Sequence, residues 1–518
     1  MIARAPTRRA VIGGGAAFAL AAPSAALAGD PVVTCAAGRF SGIRTGGVAA
    51  FRGIRYGRAA RFRTPVAEAV RRDTVRAVLP AAACPQHGKR RPQSEDCLAL
   101  NVWTPAPGTR ASLPVLVYIH GGGYAFGSAN DAITDGSLLA GRGTVVVTVN
   151  HRLNALGYLY LAPFDPRSGD SGNAGQIDLM LALRWVRDNI AAFGGDGACV
   201  TLIGQSGGGA KIATLLAMPA ARGLFHRAMT MSGQQITVSE PSHAAARTQA
   251  YLAQLKVPET DAGRLIGLPV ERLIEALDVP DPIEHSAVYM GPVRDGRWLT
   301  RHPFSPDADP VGCDVPLMLG GTRDETRDFY DPASGKMRDL SWDALPHRIV
   351  AELPVPAPGE AVVRAYRARM PHASPADVFY AATTDGRSWR PQLIEAEMRA
   401  RAGRPAYVYQ LDFTSRTDPA RGAFHGIDIA LLFGTLGAPD AWTGEGPDVR
   451  MVSRQLQDRV IAFARSGSPN SPGMPRWPAY DLQRRETMVF DAASLVQSDP
   501  RRWQRALFAP YSYIQPGT

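Results

Sequence analysis

Short unbroken apolar runs recur along the chain, at Val115 to Ile119, Thr144 to Val149, Val200 to Ile203, Ala228 to Met231, Val315 to Leu319 and Ala406 to Leu411. Runs of this length without polar alternation are the pattern of strands buried on both faces. Between several of them the apolar positions change to a helical spacing: Leu179, Leu183, Val186 and Ile190 fall on one side of a helix that the pair Gly194-Gly195 ends. Strands alternating with helices predict an α/β fold, a mostly parallel central sheet with helices on both faces. In such a sheet the loops that carry chemistry gather at the carboxyl ends of the strands. The residues just past each apolar run are therefore the ones to read for function.

A chain of 518 residues, 45% of them hydrophobic, can bury a large core, and this one has neither internal repeats nor a low-complexity linker to divide it. One domain is expected over residues 29–518, with insertions after the sheet's functional turns forming a lid and pocket walls. The first 28 residues read differently. Thr7-Arg8-Arg9-Ala10-Val11-Ile12, an Ala/Gly-rich apolar stretch and Ala26-Leu27-Ala28 have the form of a twin-arginine export signal with an A-x-A cleavage site. A membrane anchor fits less well, because Gly13 to Gly15, Pro23 and Ser24 interrupt a segment already short for a stable span. The expectation is cleavage after Ala28 and a periplasmic or secreted bacterial protein with no stable membrane anchor. Cleavage removes Arg4, Arg8 and Arg9 and no acid, so the net charge falls from +10 to +7. The longest basic cluster, Lys89-Arg90-Arg91, has no interleaved aromatics. Mild basicity of this kind marks a solvated surface and no nucleic-acid partner.

Two glycine-rich turns change the picture from fold to chemistry. The run Val200 to Ile203 breaks into Gly204-Gln205-Ser206-Gly207-Gly208 and resumes as a helix-like segment, the G-x-S-x-G nucleophile elbow. Small residues are needed on both sides because the serine sits on a sharp, strained turn where strand and helix backbones pass closely. Upstream, Pro114 to Ile119 ends in His120-Gly121-Gly122-Gly123-Tyr124, an HGGG-type loop whose backbone N–H groups serve an oxyanion hole. A phosphate cradle is the alternative, but no G-K-[ST] follows the glycines.

Further segments match one family in order. Phe51-Arg52-Gly53-Ile54-Arg55-Tyr56, Ser94-Glu95-Asp96-Cys97-Leu98-Ala99-Leu100-Asn101-Val102, Asn150-His151-Arg152, Gly172-Asn173-Ala174-Gly175, Trp185 to Ile190, Phe193-Gly194-Gly195-Asp196, Phe463-Ala464 and Trp477-Pro478-Ala479-Tyr480 span most of the chain. With the elbow and the HGGG loop they make the chain resemble the type B carboxylesterases, the cholinesterase-like branch of the α/β-hydrolases. The resemblance implies an α/β-hydrolase fold and hydrolysis of a small-molecule carboxylic ester through an acyl-serine, with no metal or organic cofactor. It leaves the oligomeric state and the physiological ester open.

A serine hydroxyl needs a neighbouring base, and that imidazole needs an acid to orient it. Of ten histidines, His425 lies in Phe424-His425-Gly426-Ile427-Asp428-Ile429, which resembles the family's H-G-x-E-I segment, whereas His120 and His226 read as structural. The turn Gly320-Gly321-Thr322-Arg323-Asp324-Glu325 resembles the family's G-x-N-x-D-E-G, which makes Glu325 the acid and Asp324 its nearest competitor. The order Ser206, Glu325, His425 is the one α/β-hydrolases use. The expected oxyanion donors are the N–H groups of Gly122 and Gly123, carried over from the family, and of Gly207, the residue after the nucleophile. Each such donor is worth about 3 kcal/mol in the transition state. The resemblance also implies a Cys84–Cys97 disulfide, leaving Cys35, Cys199 and Cys313 unassigned, and two structural charge pairs, Arg61 with Glu95 and Arg152 with Asp178.

The chain departs from the family at the elbow, usually G-E-S-A-G. Gln205 replaces a carboxylate beside the nucleophile, which removes a charge that attracts cationic substrates, and no counterpart of the choline-stacking tryptophan stands near Cys84. The first change speaks against a preference for cationic substrates, and the second argues against cholinesterase activity. Tyr124, Phe126, Trp389 and Phe413 are candidate pocket residues by position, with core packing as the alternative for each. Amide or carbamate hydrolysis shares the same triad. A non-catalytic binding role is the reading from another class, and the intact Ser206, Glu325 and His425 set argues against it.

Overall fold

Alternate residues of each apolar run point to opposite sides of a sheet, and here both sides are covered. The structure is a computed structural model that describes residues 29–88, 92–284, 286–331 and 333–518. The expected export signal and Lys89-Arg90-Arg91 lie outside the described residues. Eleven strands among them make one sheet: β1 (Ile43–Thr45), β2 (Val48–Arg55), β3 (Ala99–Thr104), β4 (Leu113–Ile119), β5 (Val145–Val149), β6 (Gly195–Gln205), β7 (Arg227–Met231), β8 (Leu317–Thr322), β9 (Ala406–Leu411), β10 (Glu486–Phe490) and β11 (Leu495–Ser498). Their order across the sheet is β11-β10-β9-β8-β7-β6-β4-β5-β3-β2-β1. The stretch from β10 to β5 is parallel throughout, and antiparallel strands close both edges.

Val115, Val117 and Ile119 of β4 enter one core, with Val145, Val147, Val200, Leu202, Leu317 and Val408. Leu116 and Tyr118 of the same strand enter the other, with Val146, Ile203, Met229, Met318 and Tyr409. Helix α1 (Ala174–Asn189) covers the first face with Ile177, Leu179, Leu183 and Val186. A short 3-10 turn, Ile190–Phe193, follows and stops at Gly194, whose φ of +82° suits glycine. Helix α2 (Gly207–Leu216) packs on the same face through Ile212, Leu215 and Leu216. The second face is covered by α3 (Ile427–Phe433) and by α4 (Pro447–Ser466), the latter presenting Val449, Val452, Leu456, Val460 and Phe463 at helical spacing. The residues between β8 and β9 build a smaller core of their own around Leu345, Ile349, Val362, Tyr366 and Phe379. Because β4, β6, β7, β8 and β9 run parallel, the turns after all five open on one edge of the sheet.

Among the described residues no helix is long and apolar enough to cross a membrane.

Candidate active site

Ser206 stands between β6 and α2 with φ 55° and ψ −127°, a backbone conformation that costs an L-residue about 1–3 kcal/mol. Its neighbours hold it there. The Ser206 N–H donates to Met231 O at the end of β7 (2.7 Å), and its carbonyl accepts from Ala210 N–H (3.1 Å). The close passage of strand and helix is what the flanking glycines permit: a Cβ on Gly204 would lie 2.4 Å from the Gly208 carbonyl carbon, and one on Gly208 would lie 2.0 Å from Ile119 O.

The structure brings Glu325, and not Asp324, to His425. Glu325 is fully buried at the turn after β8; its Oε1 accepts from Ser232 Oγ (2.5 Å) and Thr322 N–H (2.8 Å), and its Oε2 lies 2.5 Å from His425 Nδ1. Burial alone would raise the Glu325 pKa, but the His425 charge and these three hydrogen bonds reverse the shift and hold it below the ordinary value. Burial likewise pulls His425 down, and the charge and hydrogen bond of Glu325 outweigh it, so the imidazole ends above its ordinary value. Asp324 is turned the other way. Its Oδ2 accepts from Ala423 N–H (2.9 Å) and from the Arg323 guanidinium (3.2 Å), tying down the loop that carries His425.

Gln205 faces the same histidine. Its side-chain nitrogen is 3.0 Å from His425 Nε2. An amide nitrogen only donates, so Nε2 is the acceptor and the ring proton sits on Nδ1, donated to Glu325. That is the tautomer a general base beside Ser206 requires, with its lone pair directed to the elbow. Ser206 Oγ makes no hydrogen bond among the described residues, and the acceptor position on Nε2 is taken by the amide next to it. The departure from the family at position 205 therefore places a neutral donor, where a carboxylate would stand, against the imidazole nitrogen that faces the elbow.

The three expected oxyanion donors lie on abutting segments. Gly122 (φ 87°) and Gly123 (φ 61°) form a tight turn in which Ala125 N–H and Phe126 N–H both donate to Gly122 O at 3.1 Å. The loop presses on α2 so closely that a Cβ on Gly207 would fall 2.0 Å from Gly123 O. His120 is structural, as expected: its Nδ1 is 2.9 Å from Gly121 O and its ring stacks on His151 with centroids 4.7 Å apart. His226 Nδ1 accepts from Val200 N–H at 3.2 Å and braces the start of the buried part of β6.

Of the four aromatic candidates, three are core. Tyr124 is buried with its hydroxyl donating to Gln235 Oε1 (2.9 Å), Trp389 is buried with its indole N–H on Thr322 O (3.0 Å), and Phe413 belongs to the second core. Phe126 is 53% exposed beside the oxyanion loop. Sequence reasoning missed Phe329, which is 39% exposed with its ring centroid 4.8 Å from that of His425. It also missed Ser232, although its place directly after β7 was a signal that could have found it.

Both charge pairs are present. Arg61 grips Glu95 with two bonds of 2.6 Å, and the buried Arg152 grips Asp178 with bonds of 2.8 and 2.7 Å. The Cys84–Cys97 bridge is not: both residues are buried free thiols, as Cys35, Cys199 and Cys313 are free. Cys84 Sγ accepts from Leu153 N–H (3.3 Å). The hydrogen bond between the two side chains and then burial push the Cys97 pKa well up, which favours the neutral thiol. Among the described residues no three His, Cys, Asp or Glu side chains converge to hold a metal ion.

The sequence pattern of the carboxylesterase family matches residues 29–506. The chain is 33% identical over 464 residues to the para-nitrobenzyl esterase of Bacillus subtilis, covering 87% of this chain and 92% of that one. It is 37% identical over 412 residues to the phenmedipham hydrolase of Pseudarthrobacter oxydans, covering 75% and 77%. Among solved structures it is similar to a carboxylesterase of Geobacillus stearothermophilus, with a TM-score of 0.83, 33% identity, and 92% of this chain and all of that one covered.

Proposed function

This chain belongs to the carboxylesterase family and is a carboxylic ester hydrolase, and from that premise we propose that it is an exported serine esterase working through a Ser206–His425–Glu325 triad. His425 takes the Ser206 proton as Oγ attacks the ester carbonyl, Glu325 stabilises the imidazolium, and His425 then protonates the leaving alcohol. Water activated by the same histidine releases the acid from the acyl-serine. The N–H groups of Gly122, Gly123 and Gly207 hold the oxyanion of each tetrahedral intermediate. The observation that carries this reading is the 2.5 Å contact of Glu325 with His425 Nδ1, at the strand ends that also present the Ser206 elbow.

The test is labelling followed by a substrate panel. A fluorophosphonate adds one equivalent to Ser206 by peptide mapping, and esters of varied acyl length and alcohol bulk turn over faster than amides and carbamates of matched shape. Folded protein that takes no label is a binding module instead.

Export supports a second expectation. In an oxidising compartment the adjacent Cys84 and Cys97 thiols become a disulfide, and the protein recovered from that compartment begins at Gly29. Non-reducing peptide mapping of exported material yields the linked Cys84 and Cys97 peptides; free thiols at both positions there defeat the expectation.

A further inference from the structure

Lys211 is completely buried, and among the described residues it has no ion-pair partner. It lies one turn after Gly207 on α2, so both face the same way. Its Nζ donates to Gly123 O at 2.8 Å and to His120 O at 3.3 Å, and sits 5.3 Å from the centroid of the Tyr124 ring. Gly123 O is the same atom that the Gly207 backbone presses against. The titratable groups facing the ammonium are His120 and Tyr124 of the loop it holds and His151, stacked on His120. Burial keeps His151 below its ordinary pKa and Tyr124 well above, so both are neutral and neither balances the charge. From α1 the approach is by Gln176, an uncharged side chain that donates to the Lys211 carbonyl (3.1 Å).

An ammonium buried without an anion is costly, and a lysine on a helix face has solvent as its ordinary place. What it does here follows from what it touches. Three consecutive glycines, 121 to 123, have more backbone freedom than any other tripeptide, and no side chain with which to be fastened. With the N–H groups directed to the oxyanion, the carbonyls of the segment and those beside it are what a donor can grip. Lys211 grips the two that bracket the segment, and does so from the helix whose first residue supplies the third oxyanion donor.

We propose that Lys211 is a positioning residue of the oxyanion hole, its ammonium clamping His120 O and Gly123 O so that the Gly122 and Gly123 N–H groups stay in register with that of Gly207. This rests on the oxyanion reading given above. The charge itself also favours an anion in the hole. Burial brings the Lys211 pKa down to about 7, so the clamp loses its charge as pH rises through that value. Protonated lysine is the active form, and kcat therefore falls as pH rises through this deprotonation.

The test uses the mature protein with Lys211→Met, which keeps length and removes charge and donors, and Lys211→Ser, which leaves room for water on the two carbonyls. In each variant that folds by near-UV circular dichroism, kcat falls about 10²-fold with KM within a few fold. The affinity for a trifluoromethyl ketone, which mimics the tetrahedral oxyanion, falls by the same factor as kcat/KM. The alkaline decline of kcat in the unaltered enzyme disappears in the variants. Turnover and ketone affinity within about threefold of wild type in either folded variant overturn the proposal, and so does a wild-type kcat that is flat across the alkaline range. Wild-type labelling at Ser206 separates the two readings: if the label is absent the triad fails, and if it is present with unaffected Lys211 variants only the clamp fails.

Discussion

Ser206→Ala leaves the protein folded and lowers esterase turnover by at least about 10⁴-fold. Folding is spared because what holds residue 206 is main chain: its N–H on Met231 O and its carbonyl under Ala210 N–H. Alanine meets the same φ of 55° that serine already tolerates. Turnover is lost because the hydroxyl is the only group at the elbow able to form an ester with the acyl group. What remains is the modest acceleration that an oxyanion hole and binding provide without a nucleophile. The measurement is steady-state hydrolysis by enzyme purified away from host esterases, with melting temperature and fluorophosphonate labelling in parallel. Wild-type turnover in the verified variant ends the serine mechanism.

Glu325→Gln lowers kcat by about 10⁴-fold, while Asp324→Asn stays within about tenfold of wild type. An amide at 325 cannot stabilise the imidazolium, and it offers a donor as readily as an acceptor to Nδ1, so the histidine loses both its charge partner and its tautomer. At 324 the substituted side chain keeps a carbonyl oxygen, which still accepts from Ala423 N–H and holds the His425 loop in place. The pH profile carries a second signature. The base works as neutral imidazole, so activity rises as pH passes its pKa; Glu325 raises that pKa against the opposing pull of burial. Removing the carboxylate leaves only the weaker upward pulls of Asp328 and Asp428 against burial and moves the rising limb of kcat/KM toward acid. Equal losses in the two variants, or a limb that stays where it was, would remove Glu325 from the role.

Six of the eleven strands, β4 to β9, were legible because strands buried on both faces announce themselves as apolar runs, whereas β1, β2, β3, β10 and β11, which close or flank the edges, were not read. The limits of the six were less legible. Val315 and Pro316 look like the start of β8, yet pairing begins at Leu317, since proline offers no N–H to a ladder. The same strand runs on through Gly320 and Gly321 to Thr322, residues whose lack of apolar side chains hid them. At the site, residue types were readable and orientations were not. Asp324 and Glu325 are adjacent acids in one turn, and only the backbone path decides which reaches His425. Gln205 was recognisable as a change of charge, but its contact with Nε2 depends on a rotamer. Lys211 left no signal at all, because a lysine in a helix reads as a solvated face unless the loop packed over it is known.

The left-handed backbone at Ser206 bears on how this enzyme can change. Glycine is the residue that relaxes such a turn most fully, and at position 206 it also deletes the hydroxyl. Heat tolerance and chemistry are thus set against each other at a single codon. A library selected only for surviving high temperature drifts toward inert proteins there, while one screened on turnover at every round keeps the strained serine and finds its gains elsewhere.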